Sequence, residues 1–229
     1  YNTAFYTLFA VPLGIIVGLT LAVLQNVRVP GVRYFRTIFY LPAVLTGVPV
    51  YMLWLWILNP QGGLVNAALG LFGITGPAWL ADANWAKPGY ILMSSWGACA
   101  GSLMYLAALK GIPSQMYEVA ELDGARGLRR FFAITVPLIS PVIFFRLVTG
   151  ISGSLQMFAP ALVMSESGAG GPSDSTLFYG LYLWRRAFVE LNMGYASAMA
   201  WFLLGLVLVL TVIQLKLQHR WVFYEGGEK

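Results

Sequence analysis

Side chains capable of acid–base, nucleophilic or metal chemistry are scarce in this chain, which has nine acidic residues, one histidine and one cysteine. Cys99 lies in an apolar run and has no second cysteine with which to form a disulfide, and His219 alone makes no histidine cluster for a metal. No long apolar run contains Asp, Glu or His. Because membrane enzymes and proton relays depend on such groups, we expect neither a catalytic residue nor a metal site.

Nucleotide-binding motifs are missing as well. The sequence contains no G-x-x-x-x-G-K-[ST], the loop with which P-loop proteins hold phosphates, and no glycine pattern of a dinucleotide site. We therefore expect no cofactor in this chain, no ATP hydrolysis by it and no binding of nucleic acid.

Charge is concentrated in one stretch, EVAELDGARGLRRFFAITVP at residues 118–137, which the sequence predicts to be two short helices joined at Gly124. Pro113 and Ser114 suit the start of the first helix, and Gly124 can take the positive φ that ends it. Each helix has an apolar side and a charged side. The apolar positions are Met116, Val119 and Ala120 in the first helix and Leu128, Phe131, Phe132 and Thr135 in the second.

The rest of the chain is typical of an integral membrane protein, since 59% of its residues are hydrophobic and only 10% are charged. Soluble domains carry about 25% charged residues. Long unbroken apolar runs favour helices over a barrel, and we expect an all-α membrane protein, a polytopic bundle with about five transmembrane helices. The predicted spans are residues 5–24, 37–58, 90–109, 141–164 and 195–217.

Several features within these spans predict their packing. Gly14 and Gly18 form a GxxxG pair, which either allows close approach of another helix or is ordinary glycine usage in a membrane helix. Pro42 and Pro49 predict kinks in the second span. The small residues between positions 94 and 102 indicate that the third span lies inside the bundle.

Positive charge predicts the orientation, because Lys and Arg accumulate on the cytoplasmic side. Three of these residues lie on one side of the predicted spans, Lys87, Arg185 and Arg186. Ten lie on the other: Arg28, Arg33, Arg36, Lys110, Arg126, Arg129, Arg130, Lys216, Arg220 and Lys229. This places a loop at residues 111–139 and a tail at residues 218–229 in the cytoplasm, below a transmembrane domain at residues 1–217. An outside start without a signal peptide leads us to expect a further segment before residue 1.

The charged stretch resembles the signature loop of binding-protein-dependent ABC importer permeases. Their pattern is E-A-A, three residues, G, nine residues, I, one residue and L-P, and two departures here, Val119 and Val136, keep apolar character. The matching positions in this sequence are Glu118, Val119, Ala120, Gly124, Ile134, Val136 and Pro137.

The resemblance implies that this loop docks in a groove of an ATPase subunit, with Glu118 pairing with a basic residue there and Gly124 forming the turn. It assigns ATPase coupling to Glu118, Val119, Ala120, Glu121, Asp123, Gly124, Ile134 and Pro137. The implied partners are a second permease subunit, in a heterodimer, two ATP-binding subunits that carry ATP and magnesium, and an extracytoplasmic solute-binding protein. The implied location is the bacterial inner membrane.

Resemblance along almost the whole chain is to the carbohydrate class, the relatives of maltose, glycerol-phosphate and multiple-sugar permeases. The implied function is a permease subunit that forms the path for a sugar or sugar-like solute. Hydroxyl, amide and aromatic side chains in the spans are the candidates for this path, or else they serve packing: Tyr51, Ser94, Ser95, Trp96, Ser152, Ser154 and Gln156. Related permeases often carry an acid just after the position of Phe158, where this chain has Ala159.

Other features leave alternatives open. A secondary transporter or a channel independent of ATP is the competing class, although no carboxylate or histidine relay is visible in the spans. Arg146, within the fourth span, either extends to the cytoplasmic interface or pairs inside the bundle. The sequence GAGGPSDST at residues 168–176 lies either near the binding protein or in a solvated loop.

Overall fold

A computed structural model describes residues 1–27 and 32–223, apart from the side chains of residues 32, 33 and 41–43. Within these residues the fold contains helices and no strand, which confirms the predicted all-α class. The helices are α1 (Asn2–Asn26), α2 (Val32–Val44), α3 (Val48–Ile57), α4 (Leu64–Gly70), α5 (Ala83–Gly111), α6 (Ser114–Leu122), α7 (Gly127–Arg130), α8 (Val136–Leu138), α9 (Ser140–Leu155), α10 (Ala159–Met164), α11 (Tyr179–Trp184) and α12 (Met193–Leu217).

Three of the predicted spans are continuous apolar helices in the described residues: α1, α5 and α12, the last with a short 3₁₀ extension to Arg220. Each is long enough to cross a hydrocarbon core of about 30 Å at 1.5 Å per residue. The predicted first, third and fifth spans are therefore confirmed as single helices.

The second and fourth predicted spans are wrong as single helices. The second divides into α2 and α3 at residues 45–47, where Gly47 has a φ of +81° and Pro49 opens the next helix. The fourth ends at Leu155, and the short α10 follows after Gln156, Met157 and Phe158. The kink predicted at Pro49 coincides with the first of these breaks, whereas α2 continues through Pro42 to Val44. The break after Leu155 was not predicted.

The packing of α1 against α5 organises the bundle. Gly14 and Gly18 lie on this contact: a Cβ at Gly18 would stand 3.1 Å from a ring carbon of Tyr105 and 3.3 Å from the carbonyl oxygen of Ala98. Two turns further along α1, Gln25 donates a buried hydrogen bond of 3.1 Å to the Ser102 hydroxyl. The GxxxG pair thus permits close helix approach, as the first of its two interpretations predicted.

Helix α9 packs on the face of α1 that also contacts α5. Two apolar clusters complete the core. One cluster is aromatic, with the Phe178 ring 5.5 Å from both the Tyr6 and Tyr90 rings in edge contacts. The other surrounds Tyr105, Leu109 and Ile139 near the charged loop. By contrast, α12 buries only Ala196 and Met199, so most of its apolar surface is available to lipid or to another subunit.

Replacing Gly18 by Leu should destabilise the protein, because the new side chain would enter space already filled by Tyr105 and by the α5 backbone. Overpacking of this kind costs about 1–3 kcal/mol. Thermal unfolding of the purified protein in detergent measures the effect, and we expect a midpoint several degrees lower. Gly205→Leu on α12 is the matched control, since nothing lies within 4 Å of that position. Equal midpoints for the two variants would contradict the assigned contact.

Candidate functional site

The first half of the charged loop is the helix α6, and it ends as the sequence predicts. Gly124 has a φ of +74°, a conformation that costs little for glycine. The Ala125 amide donates to the Ala120 carbonyl over 2.8 Å, and the Gly124 amide donates to the Glu121 carbonyl over 3.1 Å. These bonds close the last turn of α6 and fix the direction in which the chain leaves it.

The second half begins at another glycine with positive φ, Gly127 at +55°, which the sequence analysis missed. Helix α7 continues through a π turn, Phe131–Thr135, into α8, so the helix runs past Pro137 rather than stopping there. This helical segment meets α9 at an angle of 68° after Leu138. Movement of the loop is therefore connected directly to a helix of the bundle.

Tyr117 holds the two halves of the loop together. Its hydroxyl lies 3.3 Å from the Thr135 hydroxyl, and the Arg130 guanidinium lies 5.4 Å from the centre of its ring. Ala120 is buried beside this contact, and Ile134 and Pro137 are half-buried. Together these contacts make the loop a defined hairpin of helices.

Outside this contact, the loop exposes apolar and acidic side chains together. Val119, Leu122, Leu128 and Phe132 are all more than half exposed, with Leu122 at 87%. Glu118, Glu121 and Asp123 are exposed on the same loop, and only Glu121 has an ion pair, a weak surface contact of 3.9 Å with Arg126. The predicted apolar positions thus divide: Ala120 and Thr135 point inward, while Val119, Leu128 and Phe132 do not.

A cavity of about 620 Å³ lies between α1, α5 and α9 and extends to the break before α10. Of the seven side chains predicted for a substrate path, Ser94, Ser154 and Gln156 line this cavity. Tyr51 and Trp96 pack against the aromatic cluster, and Ser95 and Ser152 lie outside the lining set. The structure therefore brings together part of the predicted set, and its role in transport stays a prediction.

The polar groups at the cavity are held by local hydrogen bonds. The Ser154 hydroxyl donates to the Thr7 hydroxyl over 2.9 Å, and the Gln156 amide donates to the Ser152 carbonyl over 3.0 Å. The Ser94 hydroxyl donates to the Ile91 carbonyl over 2.7 Å. Glycines 97, 150 and 153, with Thr149, widen the cavity, and sequence reasoning missed these residues because they carry no chemical signal of their own.

Arg146 also lines the cavity, so its guanidinium lies inside the bundle, but the ion pairs among the described residues do not include the pairing that the second interpretation predicted. Its guanidinium covers Gly101 of α5, where a Cβ would stand 2.7 Å from Nη2. The hydroxyl of Tyr105 lies next to it. Gly101 is ten residues before the end of α5, or about 15 Å at 1.5 Å per residue, which is the depth of a bilayer centre.

At the opposite end of the molecule, residues 165–178 form a compact loop. The Thr176 hydroxyl donates to the Gly171 carbonyl over 2.7 Å, and the side chain of Asn2 donates to the Asp174 carbonyl over 2.6 Å. This loop is hydrogen-bonded to itself and to the start of α1, which disfavours the interpretation of a solvated loop.

The fold is an all-helical membrane bundle with a hairpin of helices at one end. Comparison of the sequence with known protein families identifies the family to which such a bundle belongs. Residues 10–222 match the family described as binding-protein-dependent transport system inner membrane component, and the chain belongs to this family. The family predicted from the loop motif is thereby confirmed, together with a location in a membrane.

Individual relatives agree with this assignment. The probable ABC transporter permease protein YesP of Bacillus subtilis (strain 168) is 42% identical over 98% of this chain and 72% of that protein. The sn-glycerol-3-phosphate transport system permease protein UgpA of Pectobacterium atrosepticum is 34% identical over 98% of this chain and 76% of that protein. A chain of a bacterial alginate ABC transporter, solved with an alginate pentasaccharide-bound periplasmic protein, matches with a TM-score of 0.84 and 26% identity, over 96% of this chain and 76% of that one.

Tyr117→Ala should loosen the loop, because it removes both the contact with Thr135 and the ring beneath Arg130. The two contacts together contribute about 1–2 kcal/mol. Hydrogen exchange of the amides in residues 114–138 measures this, and we expect faster exchange. Tyr117→Phe keeps the ring and should lie between Tyr117→Ala and the wild type. Exchange of Tyr117→Ala at the wild-type rate would show that other contacts hold the loop.

Proposed function

We propose that this chain is a permease subunit of an ATP-driven importer, that it forms part of the path of a sugar or sugar-like solute, and that ATPase subunits drive it through the loop at residues 111–139. The observation that carries the proposal is the exposed apolar and acidic surface of α6 and α7, held in a defined hairpin and joined through α8 to a cavity-lining helix. Apolar side chains more than half exposed beside unpaired acids are typical of a surface that another protein covers.

The names of related proteins support the solute class. They include permeases of transport systems for sn-glycerol-3-phosphate, lactose and sulfoquinovosyl glycerol, and a structural relative imports alginate. This agrees with the carbohydrate class expected from the sequence. The cavity suits such a solute because it offers hydroxyl and amide groups among small residues, beside the break between α9 and α10.

The proposed orientation has the loop and the C-terminus in the cytoplasm. On the outward side, Arg185 and Arg186 both pair with Glu190, and the hydrogen bond from Arg186 to the Tyr182 hydroxyl raises the pKa of Arg186. Glu190 therefore balances one of the three positive charges counted on that side. Three of the ten inward cations lie outside the described residues: Arg28, the side chain of Arg33, and Lys229. The other seven remain: Arg36, Lys110, Arg126, Arg129, Arg130, Lys216 and Arg220.

The proposed mechanism is mechanical. Closure of an ATPase dimer moves the docked loop, the 68° junction at Ile139 carries this movement into α9, and α9 and α1 change the access to the cavity. The solute biases one state only by binding it more tightly than the other. In the assembly, we expect a second and different permease subunit, two ATP-binding subunits and a solute-binding protein outside.

A secondary transporter or channel remains the alternative function. A proton-coupled transporter would be expected to place a carboxylate or histidine in its path, and among the described cavity-lining residues there is none. No observation of the cavity favours this alternative.

Co-purification tests the docking surface. The full-length protein is expressed with its partner subunits, and a tagged ATPase subunit is used to recover the complex. Glu118→Lys should reduce recovery of the permease, because it places a cation opposite the basic groove we propose, at a cost on the order of 2 kcal/mol, or roughly thirtyfold in affinity. Glu166→Lys, an exposed acid at the other end of the molecule, is the matched control. Loss in both variants, or no ATPase recovered with the wild type, would overturn the proposal.

Gly124→Val tests the turn rather than the charge. The position has open space around it, so the cost comes from the positive φ, about 1–2 kcal/mol for a residue with a Cβ and more for a β-branched one. We expect solute-stimulated ATP hydrolysis by the reconstituted transporter to fall while the permease still inserts in the membrane. Gly205→Val, also in open space but within α12 and without positive φ, should keep wild-type stimulation. Equal stimulation by both variants would exclude a role for the turn.

A further inference from the structure

The cavity contains one charged side chain among the lining residues that the structure describes, and that side chain is Arg146. An isolated cation inside a bundle is costly, because burial removes its hydration without supplying a counter-charge. None of the ion pairs among the described residues involves Arg146, and no Asp or Glu lines the cavity. The charge of Arg146 therefore has no counter-charge among the residues that the structure describes.

The local structure holds this cation at the cavity. Gly101 provides the space in which the guanidinium lies, since any larger residue there would place its Cβ within 2.7 Å of Nη2. The buried Tyr105 hydroxyl lies next to the guanidinium and has no hydrogen-bond partner of normal geometry among the described residues. Arginine keeps its proton at any physiological pH and presents several N–H donors in a planar fork.

We propose that Arg146 makes this cavity selective for negatively charged solutes, with the guanidinium as the counter-ion for a carboxylate, phosphate or sulfonate group on a saccharide. The proposal rests on the importer function proposed above and adds the charge of the solute to it. Planar bidentate contact of arginine with such oxyanions is strong and geometrically specific. The relatives do not decide the point, because alginate is an acidic polysaccharide whereas lactose is uncharged.

Cavity charge can be measured without knowing the solute. In a Cys99→Ala background, Thr149→Cys places a thiol in the cavity three residues from Arg146 on the same helix face. The assembled transporter, held in lipid nanodiscs, is treated with two methanethiosulfonate reagents of opposite charge, the sulfonatoethyl and trimethylammonioethyl forms. The measured quantity is the rate of reaction with the anionic reagent divided by the rate with the cationic reagent. We expect this ratio to be roughly tenfold higher at the cavity thiol than at a reference thiol, and we expect high salt to reduce it.

Matched variants assign the effect to Arg146. Arg146→Gln should bring the ratio close to that of the reference thiol, Gln61→Cys, which lies exposed outside the cavity. Arg146→Lys keeps the charge and should keep most of the preference, which separates charge from a folding defect. The proposal is overturned if Arg146→Gln leaves the ratio unchanged.

Import by the reconstituted transporter tests the solute itself. The probes are uronate trisaccharides and the same trisaccharides with their carboxyl groups reduced to alcohols, which differ only in charge. Import of the acidic forms, lost at least tenfold in Arg146→Gln and retained in Arg146→Lys, supports the proposal. ATP-dependent import of a reduced form at the same rate or faster overturns it and leaves the importer function standing. If neither form is imported, the ratio of the two thiol reaction rates decides whether Arg146 makes the cavity selective for anions. Failure of the ATPase to co-purify is a separate result, and it refutes the importer function.

Discussion

The constraint on which this structure depends is that the hydrocarbon core of a membrane offers no partner for a free backbone N–H or C=O group. A helix can therefore be interrupted at membrane depth only where protein or water surrounds the break. The interruption at Gln156–Phe158 obeys this rule: the chain opens beside the cavity, and Met157 and Phe158 pack against the aromatic cluster. The continuous helices α1 and α5, in close contact at Gly14 and Gly18, form a wall of the cavity, so that protein and not lipid lies on this side of the break.

Helix α9 joins the loop to the cavity, because it begins directly after the loop and lines the cavity. Its first residue, Ser140, accepts a hydrogen bond of 2.9 Å from the Phe223 amide, so the end of the described chain also reaches this junction. Its middle carries Arg146 and Gly150, and Gly150 lets Val11 of α1 approach to 3.2 Å of a Cβ position. In the proposed mechanism, a displacement at the hairpin end would reach residues that form the cavity wall.

Much of this organisation could be predicted from the sequence where local rules decide it. Hydropathy located the continuous helices, and the requirement for a positive φ located the turn at Gly124. The break after Leu155 was not predicted from hydropathy, although Pro160, at the start of α10, cannot donate a hydrogen bond to the carbonyl of Gln156. The conformation of residues 156–158 depends on tertiary packing as well. The exposure of Val119, Leu128 and Phe132 was equally hidden, since the surface we propose to cover them belongs to another chain.

The contact between Gly101 and Arg146 has an evolutionary consequence. A Cβ at position 101 would lie 2.7 Å from Nη2 of Arg146, so an alanine there would require the guanidinium to move. Among homologous permeases, we expect a cation at the position of Arg146 to occur more often with glycine opposite it than a neutral residue does. The identities of these two residues would then indicate the charge of the transported solute from sequence alone, without a transport assay.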